Sequence, residues 1–236
     1  MQAKVLTMIL RRLNLKKSLE GALDGGSVGI GKSAEPPRSM FACFDIEQKE
    51  AYGRRVYTLR PKKDGGSRHV FYLHGGAYAL GFNRLHWAFV ANLIRETGCT
   101  IIAPDYPLAP ECTYVDSFRM VEPLYIDLVA RVGGENVVLM GDSAGAGFAL
   151  ALAQKMKHEG VDAAGRIILL SPWLDIALEN HAIAEVEAKD PILGVGALRR
   201  AGRCYAGGGS LSSYLVSPIY GDLHGLGEIS LSLIHI

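Results

Sequence analysis

Ser143 stands in the middle of Gly141-Asp142-Ser143-Ala144-Gly145, between the run Asn136–Met140 and the alanine-rich stretch Ala146–Met156. Strand, sharp turn and helix in that order would lift the Ser143 hydroxyl clear of a sheet, free to attack an acyl carbon. Gly141 and Gly145 suit such a turn because side chains would collide where strand and helix cross. A second glycine-containing stretch, His74-Gly75-Gly76-Ala77-Tyr78, closes the apolar run Val70–Leu73. Attack on an ester builds negative charge on the former carbonyl oxygen, and donors must already face it. Consecutive glycines allow a backbone that turns successive N–H groups toward one point. Gly75 and Gly76 are therefore expected as oxyanion donors, joined by the N–H of Ala144, the residue after the nucleophile. His74 is expected to hold the loop through a hydrogen bond.

Three further motifs follow in order: Asp105-Tyr106-Pro107-Leu108-Ala109-Pro110-Glu111, Ser171-Pro172-Trp173-Leu174-Asp175 and Ser217-Pro218-Ile219-Tyr220-Gly221-Asp222. Together with the first two, they make the chain resemble the hormone-sensitive-lipase-like esterases of the α/β-hydrolase superfamily (α/β hydrolase fold-3). Ala77 stands where that family often has a third glycine, and Pro107 where it often has arginine. Neither change removes an N–H from Gly75, Gly76 or Ala144.

The resemblance implies a serine hydrolase that cleaves short or medium acyl carboxylic esters through an acyl-enzyme. No cofactor and no metal are implied, the partner is a small-molecule ester, and a homodimer is allowed. Alternatives on the same fold are a ligand-binding receptor that has lost the catalytic histidine, and an amide or lactone hydrolase. The family's triad runs serine, acid, histidine along the chain. By resemblance the acid follows the strand after Ser217–Leu226, and the histidine comes later still. Neither is expected within this chain, nor are the fold's last strands and helices. Leu231–Ile236 matches one reading frame of the transposon end used in sequencing-library preparation, so residues 231–236 are expected to be a non-native tail. His235 is accordingly a poor base.

The elements that must position Ser143 follow from periodicity. Phe41–Ile46 and Arg54–Leu59 are predicted strands around Gly53, and His69–Leu73 is the strand feeding the oxyanion loop. Leu85–Thr97 is a predicted helix ended by Gly98, and Thr100–Ala103 a buried strand. Val115–Val132 is a helix containing Pro123, Ser143–Glu159 the helix after the nucleophile, and Arg166–Leu170 the next strand. Strands alternating with helices from residue 69 onward indicate an α/β fold, a mostly parallel sheet with helices on both faces. Both motifs fall at carboxyl ends of strands, where such sheets place their sites. Residues 36–230 are read as this domain. Residues 1–35 are read as an N-terminal cap helix, apolar along Val5, Met8, Ile9 and Leu13, followed by a flexible Gly21–Lys32 linker.

Composition narrows the function classes. Of 236 residues, 49% are hydrophobic, enough for one sizeable core. Lys and Arg number 25 against 24 Asp and Glu, so no basic surplus suggests nucleic acid. Four scattered cysteines suit a reducing cytoplasm, and no apolar run implies an obligate membrane span. Other conspicuous residues have bland readings. Asp142 is expected to stabilise its turn, Asp105 and Glu111 to fix a rigid loop, and Asp175 and Asp190 to be structural. Asp222 and His224 precede the segment where the acid belongs, and His86, His158 and His181 are expected at the surface or on helix flanks.

Overall fold

The computed structural model describes residues 15–24, 35–63, 65–187, 189–190 and 193–233. Its frame is a seven-stranded sheet in the order β1-β2-β4-β3-β5-β6-β7. The strands are β1 (Phe44–Ala51), β2 (Arg54–Pro61), β3 (His69–Leu73), β4 (Thr100–Pro104), β5 (Val137–Asp142), β6 (Arg166–Leu170) and β7 (Glu228–Ser232). β1 pairs with β2 and β2 with β4 antiparallel, and every other neighbouring pair is parallel.

Helices cover the two faces. β3 and β5 are buried on both sides, and their residues alternate between two apolar clusters as the pleat requires. Phe71, Leu73, Val137 and Leu139 pack with Tyr125 and Phe148 of α4 (Tyr114–Val132) and α5 (Ala144–His158). Val70, Tyr72, Val138 and Met140 pack on the other side with Trp87, Val90 and Ile94 of α3 (Arg84–Thr97). Pro123 lies inside α4, which runs on through it. α1 (Leu15–Leu23) and α2 (Arg38–Cys43) precede the sheet, while α6 (Ile183–Glu187) and α7 (Val195–Ala206) follow β6.

The structure departs from the sequence expectations in four places. Phe41–Cys43 belongs to α2, which begins after Pro36 and Pro37, so the first strand starts only at Phe44. Gly21–Leu23 is helix rather than linker. Leu19 and Leu23 are buried against Ala77, Ala79, Leu80 and Ala201, and this packing outweighs the poor helix propensity of Gly21. The cap segment with Val5, Met8, Ile9 and Leu13 lies outside the described residues, as does His235. α6 and α7 form where no element was expected. Last, Leu231 and Ser232, read as part of a tail outside the fold, are the final residues of β7, paired with Leu169 and Leu170. β7 is itself the strand expected after Ser217–Leu226.

Candidate active site

β3 and β5 are parallel neighbours with Leu73 opposite Gly141, so the turns that follow them leave the sheet at the same end. The turn after β5 carries Ser143 at the N-cap of α5, with φ 51° and ψ −119°. Non-glycine residues rarely occupy that region, and surrounding contacts must hold it. Here the Ser143 N–H donates to Leu170 O at 2.9 Å. Its carbonyl accepts from Ala146, Gly147 and Trp173 N–H at 3.2, 3.2 and 2.9 Å. Glycine is required on both sides. A Cβ on Gly145 would lie 2.1 Å from Leu73 O and 2.4 Å from His74 O, and one on Gly141 would lie 2.3 Å from Gly145 O.

The loop after β3 has three successive residues in the left-handed region: Gly76 at φ 122°, Ala77 at 52° and Tyr78 at 60°. A Cβ on Gly76 would meet Leu80 O at 2.2 Å. One of the expected donors is already engaged. Gly75 N–H donates to Asp142 Oδ1 at 2.9 Å and so is committed to holding the loop against the serine turn. The N–H groups of Gly76, Ala77 and Ala144 have no acceptor among the described residues. Ala144 is the first residue of α5, where the N–H groups of a helix have no intrahelical partner.

Asp142 stabilises more than its own turn. Its Oδ1 also accepts from the Tyr72 hydroxyl at 2.6 Å, and its Oδ2 lies 3.6 Å from His86 Nε2. Burial alone would push this carboxyl up. The His86 contact, the Tyr72 hydroxyl and the Gly75 N–H outweigh that and hold it below the usual carboxylate range. His86 is therefore a neighbour of the serine turn and not a surface residue. Its position at the third residue of α3 faces the end of β5, which no local spacing reveals.

His74 holds the loop. Its Nδ1 donates to Gly75 O at 2.7 Å, and its ring stacks on Tyr106 at 4.4 Å and lies 4.3 Å from Phe82. The Tyr106 hydroxyl donates to His74 O at 2.6 Å. Burial first, and then the neighbouring His86, push the His74 pKa down to about 3, so the ring is neutral at ordinary pH. Behind it, Arg54 donates to Asp105 O and Tyr106 O and pairs with the Asp105 carboxylate at 3.2 Å. Tyr78 stacks on Tyr205 of α7 at 3.7 Å, with the rings 4° from parallel. That support was invisible in the sequence because α7 was not expected.

Asp222 and His224 do not join the site. Both contact Lys157 near the far end of α5. Fourteen residues at about 1.5 Å each put that end about 20 Å from Ser143. His158 lies at the same end and contacts the Tyr214 hydroxyl. Asp175 accepts from Ala177 and Glu179 N–H, and Asp190 from Leu193 N–H, which are turn-forming roles. Among the described residues no histidine hydrogen-bonds Ser143. Nor could any group of three or more His, Cys, Asp or Glu among them hold a metal ion.

A mostly parallel sheet bearing a strained serine between strand and helix, beside a loop of unpaired N–H groups, defines the α/β-hydrolase class. A family described as alpha/beta hydrolase fold matches residues 70–233, and the chain belongs to it. It is 33% identical over 169 residues to an acetyl-hydrolase of Streptomyces hygroscopicus, covering 71% of this chain and 56% of that one. It is 32% identical over 159 residues to an esterase of Acinetobacter venetianus, covering 66% and 52%. A solved esterase of the bacterial hormone-sensitive lipase family superposes with a TM-score of 0.75 at 25% identity, over 87% of this chain and 67% of that one. The chain thus spans a little over half the length of these curated relatives.

Proposed function

We propose that the protein is a carboxylic ester hydrolase in which Ser143 is the nucleophile. The observation that carries this reading is a left-handed N-cap serine at the same end of the sheet as a loop whose Gly76 and Ala77 N–H groups, like that of Ala144, lack partners among the described residues. Ser143 Oγ adds to the acyl carbon, and the carbonyl electrons move to the oxygen held by those N–H groups. The tetrahedral adduct collapses, the alkoxide leaves with the proton taken from Ser143, and water hydrolyses the acyl-enzyme. Gly75 and His74 position the donors without touching the oxyanion. The base that takes the proton, and the acid that orients it, are assigned to sequence outside the described residues.

Short acyl esters, acetyl esters first, are the substrate class. The support is the likeness to proteins named acetyl-hydrolase and esterase. The four cysteines are free thiols, which suits a reducing compartment, and we place the protein in the cytoplasm. Among the described residues no helix is long and apolar enough to cross a membrane.

The test is chemical labelling of the full-length gene product. A fluorophosphonate should modify Ser143, and Ser143→Ala should remove both the label and about six orders of magnitude of turnover on an acetyl ester. Equal labelling of the native and Ser143→Ala proteins would overturn the assignment. A panel of ester, lactone and amide substrates separates ester hydrolysis from its neighbours.

A further inference from the structure

The first turn of α3 contains an unusual capping arrangement. Asn83 is the N-cap, and its side chain accepts the N–H groups of Leu85 and His86 at 2.8 and 3.1 Å. In return, His86 Nδ1 accepts the Asn83 N–H at 3.2 Å. Glu or Gln usually performs that return contact, because a flexible side-chain oxygen is all the cap needs. An imidazole adds a second function at its other end. With the Nδ1 lone pair engaged by a backbone N–H, the neutral ring carries its proton on Nε2. That nitrogen faces Asp142 Oδ2 at 3.6 Å, and the His86 side chain is only 12% exposed.

Asp142 is thereby held from three elements. Tyr72 of β3 and the Gly75 N–H take Oδ1, and α3 faces Oδ2 through His86. The ring of His86 is fixed in turn by His74, 5.6 Å away, and by the edge-on Phe82 at 5.8 Å. A glutamate at position 86 would satisfy the cap equally well but would set a second carboxylate against Asp142. The cap alone does not explain a histidine here.

We propose that His86 is a positioning residue: its Nε2–H orients the Asp142 carboxylate, which holds Gly75 and hence the neighbouring donors Gly76 and Ala77 in register with Ser143. This rests on the ester-hydrolase reading for its kinetic consequence, but its structural consequence stands apart from activity.

The experiment compares His86→Glu with His86→Gln in the full-length gene product. Both keep an oxygen for the Asn83 N–H, whereas only Gln keeps a donor for Asp142. Turnover of an acetyl ester by the Glu variant should fall at least tenfold below that of the Gln variant, with KM within about threefold. Hydrogen exchange of the Gly75 amide should rise at least tenfold in Glu relative to Gln. Adding Asp142→Asn to the Glu variant removes the facing charge, and should restore Gly75 protection and most of the lost turnover. The double variant also serves if the single Glu variant fails to fold. Equal turnover and equal Gly75 exchange in Glu and Gln would overturn the proposal and leave His86 as a cap only. If the native protein neither hydrolyses esters nor labels at Ser143, the ester-hydrolase reading fails. The Gly75 exchange then decides the positioning role by itself.

Discussion

The two turns that form the site lie at the ends of adjacent strands, yet different forces hold them. The serine turn after β5 is fixed by backbone against backbone. Gly145 faces the carbonyl oxygens of Leu73 and His74, Gly141 faces that of Gly145, and the Ser143 carbonyl caps α5. The donor loop after β3 adds to its own backbone bonds (Ala79 and Leu80 N–H to Gly76 O, Ala109 N–H to Tyr78 O) a set of side chains from elsewhere: Asp142 and Tyr106 on its backbone, Tyr205 against Tyr78, and Leu19 and Leu23 of α1 against Ala77 and Leu80. The first turn has almost no freedom to relax. The second can be adjusted by changing a supporting residue, so a family could vary it without rebuilding the sheet.

That contrast is open to direct attack, beginning with the serine turn. Gly145→Ala would place a Cβ 2.1 Å from a main-chain oxygen that cannot move without displacing β3. It should cost more than about 4 kcal/mol, the range reserved for severe core defects, and leave little folded protein. A soluble Gly145→Ala variant with an unchanged Tm would remove the distinction between the turns.

In the donor loop the rate should suffer before the fold does. Gly76→Val introduces a β-branched residue at φ 122°, 2.2 Å from Leu80 O, and should misplace at least one donor. Loss of one donor costs about 10²–10³ in turnover, or about 3–4 kcal/mol of transition-state stabilisation. KM should change less than kcat. A kcat within about threefold of native would show that these N–H groups do not form the hole.

Between the two turns stands Asp142. Asp142→Ala would leave the Gly75 N–H and the Tyr72 hydroxyl without their acceptor, at about 2 kcal/mol of stability. Chemical denaturation should show a lower midpoint at constant m-value. An unchanged midpoint would mean that the loop does not depend on this carboxylate.

The smallest effect per step is a pH dependence. His74 has a folded pKa depressed to about 3 from an ordinary 6.5. Its contribution to stability is therefore complete above about pH 6.5 and is lost progressively as the pH falls toward 3. The slope is at most about 1.4 kcal/mol per pH unit for one proton. Asp142, also lowered, adds its own loss only below about pH 4, its unfolded range. His74→Phe should flatten the slope between pH 6.5 and 4. An unchanged slope would mean that the buried imidazole is not its source.

The unequal legibility of the site in the sequence has the same origin. Ser143, Gly141, Gly145 and Ala144 could be read directly, because strand, turn and helix are contiguous and a close crossing admits only glycine. The central strands were also legible, since β3, β4 and β5 are short apolar runs bounded by turns. Gly75, expected as an oxyanion donor, has its N–H on Asp142. Two adjacent glycines look alike in sequence, and which N–H is free depends on Asp142, 67 positions away. His86 was missed for the same reason.

By itself, then, the sequence determined the groups on offer: a serine on a strand–turn–helix elbow, backbone able to present N–H groups, and an alternating strand–helix order that places both at one end of a parallel sheet. Those properties depend on local sterics and hydrophobic period. Only the tertiary structure decided which N–H groups remain unpaired among the described residues, that Gly75 is engaged by Asp142, that α1 and α7 pack against the loop, and that Asp222 and His224 lie at the far end of α5. The deciding contacts join residues distant in the chain: buried polar groups find partners once the core has formed, and the apolar faces of α1 and α7 find theirs against the loop.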